Sequence, residues 1–207
     1  MNEFFSDEAK RQVTAAVREV EAQSTAELVV TVRHAAGRYR HVDYLVGALC
    51  AFAALLVLLF HPHSFAITTM PIDVAVAFVL GAACSSYSPT VRRVMSSPAQ
   101  RKQDVTRAAR AAFVELGVSR THDRTGVLVY VAALERAVEV VCDIGVDVAK
   151  LDSRWSQAIA SFGNALQPTP RLDSFVVALC ALGPPLGAAL PRAVDDVNEL
   201  PDEMVGE

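Results

Sequence analysis

Three aspartates, Asp123, Asp143 and Asp147, are the residues whose type and spacing admit chemistry. Asp123 stands just before an apolar run that starts at Val127, Asp143 ends the next such run, and Asp147 follows within a short loop. If the two runs are neighbouring antiparallel strands, the start of one and the end of the other share one edge of the sheet. Three carboxylates converging there would offer oxygen ligands to a hard divalent cation. Such an ion could polarise a phosphoryl oxygen and orient water. Three readings stay open: loop acids solvated beside Arg120, Arg124 and Arg154, a cation site without catalysis, and metal-assisted hydrolysis. Glu135 falls at the opposite edge and serves the turn there. Glu27 opens an earlier strand and joins either edge according to that strand's direction. His122 reads as an exposed loop histidine. The sequence has no phosphate-cradling loop, no HExxH and no legible Ser-His-Asp spacing, so no catalytic residue is assigned. The four cysteines, at 50, 84, 142 and 180, lack zinc or redox spacing and read as small buried hydrophobes.

The acids need a sheet to bring them together. Glu27 to Arg33 reads as a strand buried on both faces, because its β-branched run is continuous. Val127 to Leu134 and Ala137 to Asp143 read as a hairpin turning at Glu135-Arg136. Helices are predicted from Ser6, which can cap, with Val13, Ala16, Val17 and Val20 on one face. A second runs from Arg101 to Leu116, with Gly117 beyond its end. Trp155, Ile159, Phe162 and Leu166 mark a third. Leu172, Phe175, Val176 and Leu179 mark a fourth, broken at Gly183-Pro184-Pro185. The acidic tail from Asp195 to Glu207 is expected to be irregular and exposed. One early strand cannot fold alone, so it must pair with the later hairpin, giving at least three strands covered by helices in layers.

Between these pieces the composition changes. Of the 207 residues 52% are hydrophobic, and the excess lies in two segments, Tyr44 to Phe60 and about Pro71 to Tyr87. Each is long enough to span a bilayer, the first only just, at roughly 25 Å. His61, Pro62, His63 and Ser64 form the turn between them. Asp73 is tolerable in the first turn of the second span, at the positive end of the helix dipole. Arg33, Arg38 and Arg40 precede the pair, Arg92, Arg93, Arg101 and Lys102 follow it, and the loop from His61 to Met70 has neither Lys nor Arg. That asymmetry places both flanks in the cytoplasm. The start of the chain lacks the basic and apolar regions of a signal peptide. The expected organisation is a transmembrane helical hairpin, residues 43–91, inserted into one discontinuous α/β domain, residues 1–42 and 92–194, with a tail at 195–207. A net charge of −4 gives no basic footprint for nucleic acid.

Several phrases together resemble the TPM domain family. They are FVELGVSRT at 113–121, RTGVLVYV at 124–131, LER at 134–136, VEVVCDIG at 138–145 and the early AELVV at 26–30. The closing DVNELPD at 196–202 is similar to the tail of a bacterial membrane branch with a two-span insert after the first strand. The resemblance implies a three-layer α/β/α sandwich around a small mixed sheet, in a bacterial inner membrane. It also implies a phosphatase label, earned by a thylakoid member, and in some relatives a bound calcium or other divalent ion. Fold alone does not fix one function. Two functions are therefore expected in competition. The first is a membrane-anchored module that binds or assists other membrane proteins. The second is a membrane-tethered, divalent-ion-dependent phosphatase. The expected partners are the lipid bilayer and membrane proteins, with oligomerisation left open.

Overall fold

Ser6 begins the first helix: its Oγ accepts a hydrogen bond from the Ala9 amide at 3.1 Å, and Asp7 and Glu8 occupy the favourable first turn. The computed structural model describes residues 2–62, 66–192, 198–201 and 203–206. His63 and Ser64 of the expected turn, Asp195 and Asp196, and Asp202 of the closing phrase lie outside the described residues. The chain divides into two compact units, residues 1–36 with 102–207, and residues 37–101.

The first unit is an α/β/α sandwich. It contains α1 (Asp7–Glu21), β1 (Glu27–Arg33), most of α5 (Pro98–Glu115), β2 (Gly126–Ala132), β3 (Ala137–Cys142), α6 (Ser153–Leu166), α7 (Leu172–Cys180), α8 (Gly183–Ala189) and β4 (Val205–Gly206). The strand order is β3-β2-β1-β4. β1 runs parallel to β2, from Glu27 opposite Gly126 to Arg33 opposite Ala132, and β2 and β3 are antiparallel. Alternation along the strands sorts side chains between two cores. Leu28, Val30, Val32, Val127, Val129 and Val131 face a core closed by α1, α6, α7 and α8. Val29, Leu128, Tyr130 and Ala132 face a smaller one, closed by Val105, Ala109 and Ala112 of α5. Two-sided burial explains why β1 and β2 read as continuous apolar runs.

Three local expectations change. β2 stops at Ala132, because the Ala133 and Leu134 amides donate to the Arg33 and His34 carbonyls, both at 2.9 Å. The turn into β3 is therefore longer than Glu135-Arg136, and Arg136 takes a left-handed φ of 52°. α5 starts at Pro98, three residues before Arg101. The tail is not irregular and exposed throughout: Met204 is buried in the larger core, and Val205–Gly206 pairs with Thr31 and Val32 of β1. Thr31 Oγ1 also donates to the Val205 carbonyl at 3.0 Å. Gly117 ends α5 with a φ of 69°, as a glycine past a helix end does.

The second unit holds α2 (Arg40–Phe60), α3 (Met70–Tyr87) and the short α4 (Pro89–Met95). Pro71 and Asp73 sit in the first turn of α3. Where the helices cross, a Cβ on Gly81 would come within 2.7 Å of the Cys50 side chain and 3.2 Å of the Gly47 backbone. Small residues here let the two backbones approach.

Among the described residues, three helical stretches are long and apolar enough to cross a membrane: Arg40–Phe60, Met70–Tyr87 and Leu172–Ala189. The third was not expected from the sequence. It differs in burial: 44% of its window is buried, against 17% and 11% for the other two. Leu172, Phe175, Leu179, Leu182 and Leu186 fill the core of the α/β unit, so its hydropathy is spent on packing. The exposed apolar side chains of α2 and α3, among them Leu49, Phe52, Leu59, Ile72, Val79 and Leu80, have no such packing.

Candidate functional site

The end of the sheet where β1 and β2 begin and β3 finishes gathers most of the residues singled out in the sequence. The Asp143 amide donates to the Gly126 carbonyl and the Gly145 amide to the Arg124 carbonyl, both at 2.9 Å. The loop before β2 and the loop after β3 are thus zipped together. A Cβ on Gly145 would lie 2.3 Å from the Asp123 carbonyl oxygen and 2.5 Å from that of Arg124, so only glycine permits the approach. Glu27 lies at this same end, since β1 is parallel to β2. Its carboxylate accepts from the Leu200 amide at 3.2 Å. Glu135 lies at the far end, where it accepts from the Ala36 amide at 3.0 Å.

Each of the three aspartates has its own protein partner. Asp143 is buried and grips Arg124 with both oxygens, at 2.7 and 2.9 Å, and also accepts from the Ile144 amide at 2.7 Å. The Arg124 guanidinium, helped by the Ile144 amide and opposed by burial, holds the Asp143 carboxyl below the usual carboxylate range. Asp123 is exposed and meets His122 Nδ1 at 2.9 Å. That hydrogen bond raises the imidazole above its ordinary value. Asp147 caps a short 3-10 turn by accepting from the Ala149 amide at 3.1 Å, with Lys150 Nζ 3.2 Å away. Arg154 turns to Asp152 at 2.5 Å. Among the described residues no three His, Cys, Asp or Glu side chains gather closely enough to hold a metal ion. A cation at Asp143 would have to displace Arg124, so the arrangement acts as a salt-bridged loop clasp. Arg124 keeps a left-handed φ of 59°, a strained state that the two-pronged ion pair helps to hold.

Arg124 is the residue sequence reasoning underrated. In the sequence it stands as a neighbour of the acids, and no spacing rule marks it as the partner of Asp143. A second network was also missed, in the helical unit. Asp43, in the first turn of α2, is buried and accepts from Ser85 Oγ at 2.8 Å and from Arg92 at 3.0 and 2.6 Å. The signal was an acid at the start of one apolar segment and an arginine just past the end of the other. It ties α2, α3 and α4 together at one end of the hairpin.

In the α/β unit, at the start of β1, a polar cleft of about 170 Å³ is lined by Arg18, Glu21, Ser24, Glu27 and Arg192. Glu21 also accepts from the Leu28 amide at 2.9 Å, so this carboxylate is committed to the start of β1.

No family model and no curated protein matches the chain. Among solved structures, the chain is similar to the NMR structure of the BA42 protein from the psychrophilic bacterium Bizionia argentinensis. The TM-score is 0.58 and the identity 16%, over 98% of this chain and 94% of that one. At that identity the likeness shows the fold alone: an α/β arrangement shared with a bacterial protein.

Proposed function

We propose that the protein is a membrane-anchored module of the TPM type that binds or assists other membrane proteins. In this reading α2 and α3 cross a bacterial inner membrane and the α/β unit works on the cytoplasmic side. The observation that carries it is the pair α2 and α3, with mean hydropathies of 2.4 and 1.5 and only 17% and 11% of their windows buried. Apolar side chains left unpacked on this scale need a non-aqueous solvent. The arginines before α2 and after α3 support the orientation. The order of strands and helices, with the hairpin between β1 and α5, supports the TPM assignment. The clasped state of Asp143 favours binding over hydrolysis, since both carboxylate oxygens are occupied by Arg124.

The test is affinity capture of the full chain from bacterial membranes in three detergents, against a control in which the α/β unit is replaced by an unrelated soluble domain. The expected outcome is recovery of a membrane protein with the native chain alone. Recovery of none above the control in any detergent overturns the proposal. Phosphate release by the pure chain with Ca²⁺, Mg²⁺ or Mn²⁺, lost on Asp143→Ala, would replace it with the hydrolytic alternative.

A further inference from the structure

β3 is the end strand of the sheet, and among the described residues no strand pairs with its outer edge. All six of its residues are half-buried. A bare edge presents a row of backbone donors and acceptors that an extended chain can match. Alongside it runs a groove of about 240 Å³, between β3 and α6, lined by Val138, Val140, Ile159, Ala160, Phe162 and Gly163. Its walls are mostly apolar, Arg136 and Gln167 apart, as suits a pocket for alternate side chains of an added strand.

Gly163 is the second observation. It lies inside α6, where glycine is worse than alanine for helix stability. A Cβ there would meet nothing within 4 Å, so neither a close approach nor a left-handed backbone requires glycine. Gly163 lines the groove, so a large side chain there would take up its space. Glu139 is the third. It lies on the opposite face of β3, where its carboxylate accepts from Thr106 Oγ1 at 3.2 Å. An identical strand added in parallel register, or antiparallel about Glu139, would set Glu139 against Glu139, whereas a strand carrying a cation at that place would be favoured.

We propose that the outer edge of β3 binds an extended segment of another polypeptide by strand addition. Apolar side chains at alternate positions enter the groove beside Gly163, and a lysine or arginine between them faces Glu139. The surface deepens the binding-module reading by naming the partner's shape and charge.

The full chain, purified in detergent, is probed with an array of hexapeptides in which Val, Ile or Leu alternates with Lys, Thr or Glu. The expected result is selection of lysine-bearing peptides. Gly163→Leu, which fills the groove, lowers their binding about tenfold, while Gly163→Ala lowers it about threefold or less. Glu139→Lys moves the preference to glutamate-bearing peptides. Fluorescence melting of Trp155, the chain's single tryptophan, confirms that the variants remain folded. If Gly163→Leu does not fold, the charge reversal decides alone. Absence of binding to any peptide overturns the inference, as does binding indifferent to these substitutions. A wild-type dimer in sedimentation that Gly163→Leu dissociates overturns it too, and assigns the edge to a second copy. Since the peptides are free of membrane, failure here alongside successful membrane capture rejects the edge and leaves the module standing.

Discussion

Asp143 and Arg124 together hold the loops at one end of the sheet, and the consequences can be signed. Asp143 has its folded pKa below the ordinary value. Its pair therefore contributes fully above about pH 4 and fades as pH falls through the lowered folded value. Asp143→Asn should cost roughly 2 kcal/mol at pH 7, as loss of charge-assisted hydrogen bonds does. Trp155 is buried within the α/β unit and reports only on that unit. Its thermal midpoint should differ between variant and wild type at pH 7, and the gap should shrink towards pH 3. A gap independent of pH would mean that packing, not charge, was lost. Gly145→Ala tests the same clasp sterically. Its Cβ would collide with two backbone oxygens, which cannot rotate away, so a loss of about 2–3 kcal/mol in the same assay is expected.

Among the elements, the hairpin has the sharpest test. Asp43 is buried with Arg92 and Ser85 as its partners. Arg92→Gln leaves a carboxylate without its counter-charge, an effect on the order of 3–5 kcal/mol. Replacing both members, Asp43→Leu with Arg92→Leu, removes the buried charge altogether and should restore most of the loss. The measurement is the amount of full-length chain retained in alkali-washed membranes. A double variant as depleted as the single one would show that the network does more than neutralise itself. The third apolar stretch makes the opposite point. α7 and α8 are hydropathic enough to span, yet their leucines and Phe175 are buried against the sheet and α6. Hydropathy counts apolar atoms and does not say whether protein or lipid will cover them.

For the whole molecule, both hydrophobic cores lie in the α/β unit, which is assembled from both ends of the chain. A chain in which residues 41–96 are replaced by a short flexible linker should therefore fold as a water-soluble α/β protein. The check is a cooperative Trp155 melting transition in the supernatant fraction. Aggregation of this chain without such a transition would mean that the helical unit is needed for the fold.

The α/β/α layering was legible in the sequence. Two-sided burial writes continuous β-branched runs at β1 and β2, and one-sided burial writes the helical periodicity of α1, α5 and α6. The apolar segments of α2 and α3 were equally legible, because Tyr44 to Phe60 carries no charge and Pro71 to Tyr87 carries only Asp73. The sequence also determined that Asp123, Asp143 and Asp147 fall in loops at one sheet edge. Tertiary structure alone decided what those carboxylates do. Whether an aspartate faces water, a metal or an arginine depends on side-chain direction over a few ångströms, and Arg124 closes on Asp143 from a strained backbone that no periodicity encodes. The same holds for β4, too short to leave a pattern and formed only because β1 offers it an edge. It holds also for Asp43 and Arg92, 49 residues apart and joined only where the two long helices pack.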